Sequence, residues 1–178
     1  MATHTADKIL ALAEKAMCTK GYASFSFREL AMQLGIKSAS VHYHFPTKAD
    51  LGLAVAKHYH HRYSEALEDI ERQHRTAGER LQALVQMYRQ ELVTGDHMPL
   101  CCMLTAERQL LPEELRQELR AFYELNIHWL INATGQSKCQ AAQVFALLQG
   151  AFMGGKALGE SQFFDQVVTA IESVTQKQ

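Results

Sequence analysis

The 178 residues hold 18 basic and 19 acidic side chains, 47% hydrophobic residues and three prolines, enough for one substantial domain or a small domain sharing its core with a larger one. The richest apolar run, QVFALLQGAFMGGKALG, is broken by Gln and Lys well short of the roughly 20 residues that a bilayer requires. The amino terminus carries charges among its apolar positions and so lacks the core of a secretory signal, and the cysteines at 18, 101, 102 and 139 form no CxxC pair; a cytoplasmic protein with reduced thiols, no membrane span and no cofactor is expected.

Charge is unevenly placed. Residues 1–63 contain eight lysines and arginines against four acids, while the remainder is acidic. A polyanionic partner would therefore meet the first part of the chain.

In chain order, Ile9, Leu12, Ala13, Ala16 and Met17 fall at helical spacing and predict an amphipathic helix over 5–20, stopped by Gly21. Ser26 with Glu29 is a capping-box pattern that opens a second, shorter helix whose buried face is Phe27, Leu30, Ala31 and Leu34, ended by Gly35. A third short helix spans about 37–44 and breaks before Pro46. Thr47 caps a long fourth helix to about 73. Five more stretches, near 77–95, 98–110, 112–134, 138–157 and 160–175, are separated by Gly95-Asp96, Leu111-Pro112, Gly135-Gln136-Ser137 and Gly159. The expected fold is all-α with about nine helices.

A helix, a glycine-containing turn and a short helix packed on a preceding helix make a helix-turn-helix at about 26–45, whose second helix would enter a major groove. Gly21, Ser26, Leu30, Ala31, Gly35, Ile36, Val41, Tyr43, Phe45, Lys48 and Leu51 together resemble the amino-terminal signature of the tetracycline-repressor (TetR) family of transcriptional regulators over residues 5–65. The resemblance implies a DNA-binding domain over 1–50 and a helical effector-binding and dimerisation domain over 51–178.

Residue chemistry agrees with it. Lys37, Ser38, Ser40, His42, Tyr43, His44 and Lys48 supply donors for phosphates and base edges, and Ala39, Val41 and Phe45 supply apolar anchors. Ser26 at a helix start, with Arg28 beside it, reads either as a simple cap or as a phosphate site. By resemblance, Tyr43 and Lys48 would clamp the DNA backbone, while Lys37, Ser38, Ala39 and His42 would face bases. Lys37, Ala39 and His42 depart from the family pattern, which has a small capping residue, a glycine and an aromatic there. His42 and His44, two apart, point to different sides of a helix, and His58 and His61 in HYHHRY have no third ligand beside them; HYHHRY reads as a solvated or DNA-proximal face, and no metal is expected.

In the acidic remainder, Met98, Cys101, Cys102, Phe122, His128 and Trp129 mix soft, aromatic and polar groups that suit an effector pocket or, at the paired cysteines, a thiol sensor; ordinary core is the alternative. The glycines around 150–155, with Phe145, Leu148, Phe152, Gly155, Phe163, Val167 and Ile171, suggest a close helix–helix approach, either a homodimer interface or an internal core. The function expected from resemblance is a homodimeric repressor of double-stranded operator DNA, released by an unidentified small-molecule effector or by cysteine modification. An all-helical enzyme or adaptor is the alternative, but no local motif assembles a nucleophile, base and orienting group.

Overall fold

The computed structural model describes the backbone of residues 2–175 and the side chains of residues 5–171. Among the described residues there are nine α-helices and no strand: α1 (Ala2–Lys20), α2 (Phe27–Leu34), α3 (Ser38–His44), α4 (Lys48–Gln73), α5 (Ala77–Thr94), α6 (Leu100–Ala106), α7 (Glu113–Thr134), α8 (Lys138–Leu158) and α9 (Ser161–Thr175), with a single 3-10 turn at Arg108–Leu110 after α6. No described helix is long and apolar enough to cross a membrane. All four cysteines are free.

The punctuation read from the sequence is what ends the helices. Gly21 at φ 85° closes α1 through its N–H to the Met17 carbonyl (3.0 Å), and Gly35 at φ 65° closes α2. Only a residue without Cβ adopts that region without strain. Thr47 and Asp50 cap α4 reciprocally: each side chain accepts the other's backbone N–H, at 3.1 and 3.0 Å. The expected helix over 98–110 is interrupted. α6 ends at Ala106, Glu107 turns out of helical geometry at ψ 13°, and the chain continues as the 3-10 turn.

The chain divides into two compact units, 1–62 with 97–122, and 63–96 with 123–178. In the first, Ile9, Met17, Leu30, Val41, Leu51 and Leu100 are almost fully buried, so α1, α2, α3, the start of α4 and α6 share one core. The second is built on α8, which packs against α9 and α5.

The close approach implied by the glycines of α8 is made inside the chain. A side chain at Gly154 would collide with the Phe163 ring of α9, and a Cβ at Gly155 would stand 2.9 Å from Leu92 of α5, whereas Gly150 faces open space. Of the seven residues expected at a dimer interface, Phe145, Leu148, Phe152, Gly155 and Ile171 are buried within the chain itself. They serve the core of the unit, because the larger side chains of α8, and Ile171 of α9, turn inward. Phe163 and Val167 are half-buried.

Candidate nucleic-acid interface and sensor residues

α3 has one inward anchor and one outward face. Val41 is fully buried, while Ala39, His42 and Tyr43 are exposed, Tyr43 by 81%. Positions 39, 42 and 43 are related by three and four residues, so they stand together on the surface. Lys37 precedes the helix, exposed and making no capping bond, as expected where a lysine replaces a small capping residue. Ser38, Ser40 and His44 are half-buried on the flanks.

The His42 ring rests on Phe27 of α2 with centroids 4.6 Å apart, and its Nδ1 stands 3.2 Å from the Pro46 carbonyl. A carbonyl only accepts, so Nδ1 carries a proton and donates.

Ser26 and Arg28 are exposed at the start of α2. The Ser26 Oγ accepts the Glu29 N–H at 3.2 Å and donates to the Glu29 carboxylate at 3.2 Å. Its oxygen is thus occupied by the cap, with an acid beside it that disfavours an anion. Capping accounts for this serine.

Lys48 begins α4 and folds back over the turn between α1 and α2. Its Nζ donates to the Ala23 carbonyl at 2.9 Å and lies 4.6 Å from the Phe25 ring centroid and 5.1 Å from that of Tyr22. Burial lowers its pKa, opposed by the charges of Glu107 and Glu29. Ala23, Phe25, Ser26, Phe27, His42 and Lys48 line an open cleft of about 480 Å³.

The expected sensor residues divide between the units. Met98, Cys101, Cys102 and Phe122 belong to the first, His128 and Trp129 to the second. Cys101, Cys102, Phe122 and Trp129 are buried, Met98 is half-buried and His128 is exposed on α7. The indole Nε1 of Trp129 is buried without a hydrogen-bond partner.

The two thiols interact. Cys101 hydrogen-bonds to the Cys102 sulfur, which with burial pushes the Cys101 pKa well up. The same bond lowers that of Cys102, opposed by burial and by Cys18 of α1. A donor to sulfur favours its thiolate, so Cys102 is the more readily ionised of the pair.

Two polar clusters escaped sequence reading. In the first unit, HYHHRY is partly internal and not simply a solvated face: Tyr59 contacts Phe122 (centroids 5.6 Å apart) and lies 3.9 Å from the Cys101 sulfur, and His60 Nδ1 is 2.5 Å from the Glu118 carboxylate. In the second, the Tyr63 hydroxyl donates to Asn126 at 2.6 Å and stands 3.3 Å from the Tyr88 hydroxyl, which accepts from Gln149 at 3.3 Å. Asn126, only 2% exposed, was the available signal: a buried amide in an apolar stripe demands partners.

The sequence profile of bacterial regulatory proteins of the tetR family matches residues 9–55, the stretch from α1 into α4. No curated protein matches the chain. Among solved structures, a TetR transcriptional regulator from Legionella pneumophila is 30% identical, with 93% of this chain and 94% of that chain covered at a TM-score of 0.85. A TetR-family transcriptional regulator from Agrobacterium tumefaciens is 24% identical over 96% of this chain and 97% of that one (TM-score 0.87), and the reduced form of E. coli NemR is 20% identical over 96% of each (TM-score 0.84). With the signature, the fold and a full-length relative in agreement, the chain belongs to the TetR family of DNA-binding transcriptional regulators.

Proposed function

We propose that the protein is a homodimeric repressor that reads operator DNA with α3 and is released by a small effector or by modification at Cys102. The observation that carries the DNA-reading part is the exposed trio Ala39, His42 and Tyr43 on a helix fixed from behind by Val41. Residues 1–50 act as the DNA-binding domain and 51–178 as the sensing and dimerising domain. Within the first, Tyr43, Arg28 and Lys48 contact phosphates, while Lys37, Ser38, Ala39 and His42 meet base edges, with Ser40 and His44 at their flank.

One short helix on one half-site gives limited affinity, and a two-fold dimer doubles the contact and sets half-site spacing. The surface we assign to dimerisation is the outer face of α8: Ala146, Met153 and Ala157 are exposed at helical spacing, and Met153 is 53% exposed. Phe163 and Val167 of α9 supply its half-buried margin.

Release requires an effector with different affinity for the DNA-bound and free arrangements. Cys101, Cys102, Met98 and Phe122, with Tyr59 and His60, supply soft and polar contacts in the first unit. Trp129, with its unpartnered indole N–H, supplies a donor in the second, with exposed His128 near it in sequence on α7. For the thiol route, Cys102→Ser should keep DNA binding and lose the response to a soft electrophile. Selection of bound sequences from randomised duplex DNA tests the whole reading. Enrichment of a two-fold site supports it; no enrichment, or a lone half-site, overturns it.

A further inference from the structure

Outside the DNA-facing surface, one acid reaches back to the turn beneath Lys48. Glu107 caps the end of α6. Its carboxylate accepts the Tyr22 N–H in a short bond and the Ala23 N–H at 3.4 Å. The residues it holds, 22 and 23, lie between α1 and α2, and the first residue of the turn is shaped around the same group. A Cβ at Gly21 would fall 2.5 Å from Glu107 Oε1, and Gly21 has φ 85°.

The other side of this turn carries Lys48. Its ammonium uses the Ala23 carbonyl as acceptor and the Tyr22 and Phe25 rings as floor. The position of the cleft's lysine thus depends on the conformation of residues 22–25, and a carboxylate from α6 holds the first two. A charge-assisted bond to a backbone N–H is among the stronger hydrogen bonds, and losing it leaves the part-buried Tyr22 N–H without that acceptor.

We propose that Glu107 is a positioning residue for DNA binding: by holding the α1–α2 turn it keeps Lys48 where a DNA phosphate meets it. Glu107 acts through Lys48 and touches no DNA. Its removal weakens binding to all sequences, because phosphate contacts carry no sequence information.

The test is a double-mutant cycle on the full chain, read as affinity for a labelled duplex of mixed sequence across a salt series. Glu107→Ala should lower affinity about tenfold and reduce the salt slope by about one, the same change expected of Lys48→Ala. In the Lys48→Ala background, Glu107→Ala should change nothing further. Gly21→Ala, which would displace the carboxylate, should reproduce the loss. Helix content and melting temperature report whether each variant is folded. If Glu107→Ala does not fold, Glu107→Gln, which keeps an acceptor oxygen for Tyr22 but presents an amide NH2 in place of the acceptor for Ala23, should show a smaller loss in the same cycle. Unchanged affinity of the folded variant, or an equal loss with and without Lys48, would overturn the proposal. A merely structural role would lower the melting temperature without touching the salt slope.

Discussion

The Tyr63 hydroxyl donates to the side-chain oxygen of Asn126 at 2.6 Å, tying the second half of α4 to α7. Tyr63→Phe keeps the ring and removes this bond. Unfolding by urea should show a loss of about 1–2 kcal/mol, the cost of depriving a buried acceptor of a donor; a wild-type midpoint would mean that the remaining polar groups of the cluster compensate.

Two glycines of α8, four residues apart, should respond to alanine with opposite signs. Gly150 faces open space, so Gly150→Ala gains helix propensity, up to about 1 kcal/mol. At Gly154 the same methyl group meets the Phe163 ring, and overpacking of about 1–3 kcal/mol outweighs that gain. Thermal melting of the two variants compares them directly, and a stabilised Gly154→Ala would show that α9 gives way easily.

Arg89 binds Asp165 through two parallel bonds, Nε to Oδ1 at 2.7 Å and Nη2 to Oδ2 at 3.0 Å. The hydrogen bond and then the charge of Arg89 hold the Asp165 carboxyl below the usual range. A carboxyl depressed by folding stabilises the fold above its unfolded pKa, and that contribution is lost as pH falls through the folded value. Both side chains are about 40% exposed, so the effect is small and screened by salt. Asp165→Asn should flatten the acid side of a plot of urea midpoint against pH below about pH 4, leaving the neutral region parallel to wild type.

On DNA, Tyr43→Ala should weaken operator and unrelated duplex to similar degrees. Ala39→Gly and His42→Tyr should instead change which sequences are preferred, by about 1–3 kcal/mol per discriminating base pair. Competition between the selected site and its single-base variants separates the two behaviours; a shifted preference in Tyr43→Ala would reverse the assignment.

Met153→Glu places a charge on the exposed face of α8 without entering the core. Sedimentation should show a monomer with unchanged helix content, and DNA affinity should drop toward that of one half-site. A dimer persisting in this variant would locate the contact elsewhere.

Helix placement was legible because its determinants are local: Ser26, Gly35, Thr47 and Gly159 act on the backbone within a turn. The shared exposure of Ala39, His42 and Tyr43 was legible for a similar reason, since a buried Val41 fixes where 39, 42 and 43 point. Glu107 was not, because its partners lie more than 80 residues away and the apolar pattern around it reads as continuous helix through 110. Whether Phe152 packs within its own chain or against a second copy stayed open in the sequence on the same ground. Periodicity shows that a side chain is buried, and says nothing of whether its own chain or a second copy buries it.

The Tyr22 ring that forms part of the floor under Lys48 also fills the space above Gly52, where a Cβ would stand 2.7 Å from it. Lys48 and Gly52 are successive steps on one side of α4, so a single aromatic ring indexes the helix at two points. Slipping α4 by one residue, about 1.5 Å along and 100° around its axis, would drive Leu51 or Leu53 into the ring and swing the ammonium off it. The first turn of α4 therefore has one register against the α1–α2 turn, and any displacement of that helix start must carry the turn with it or break both contacts together.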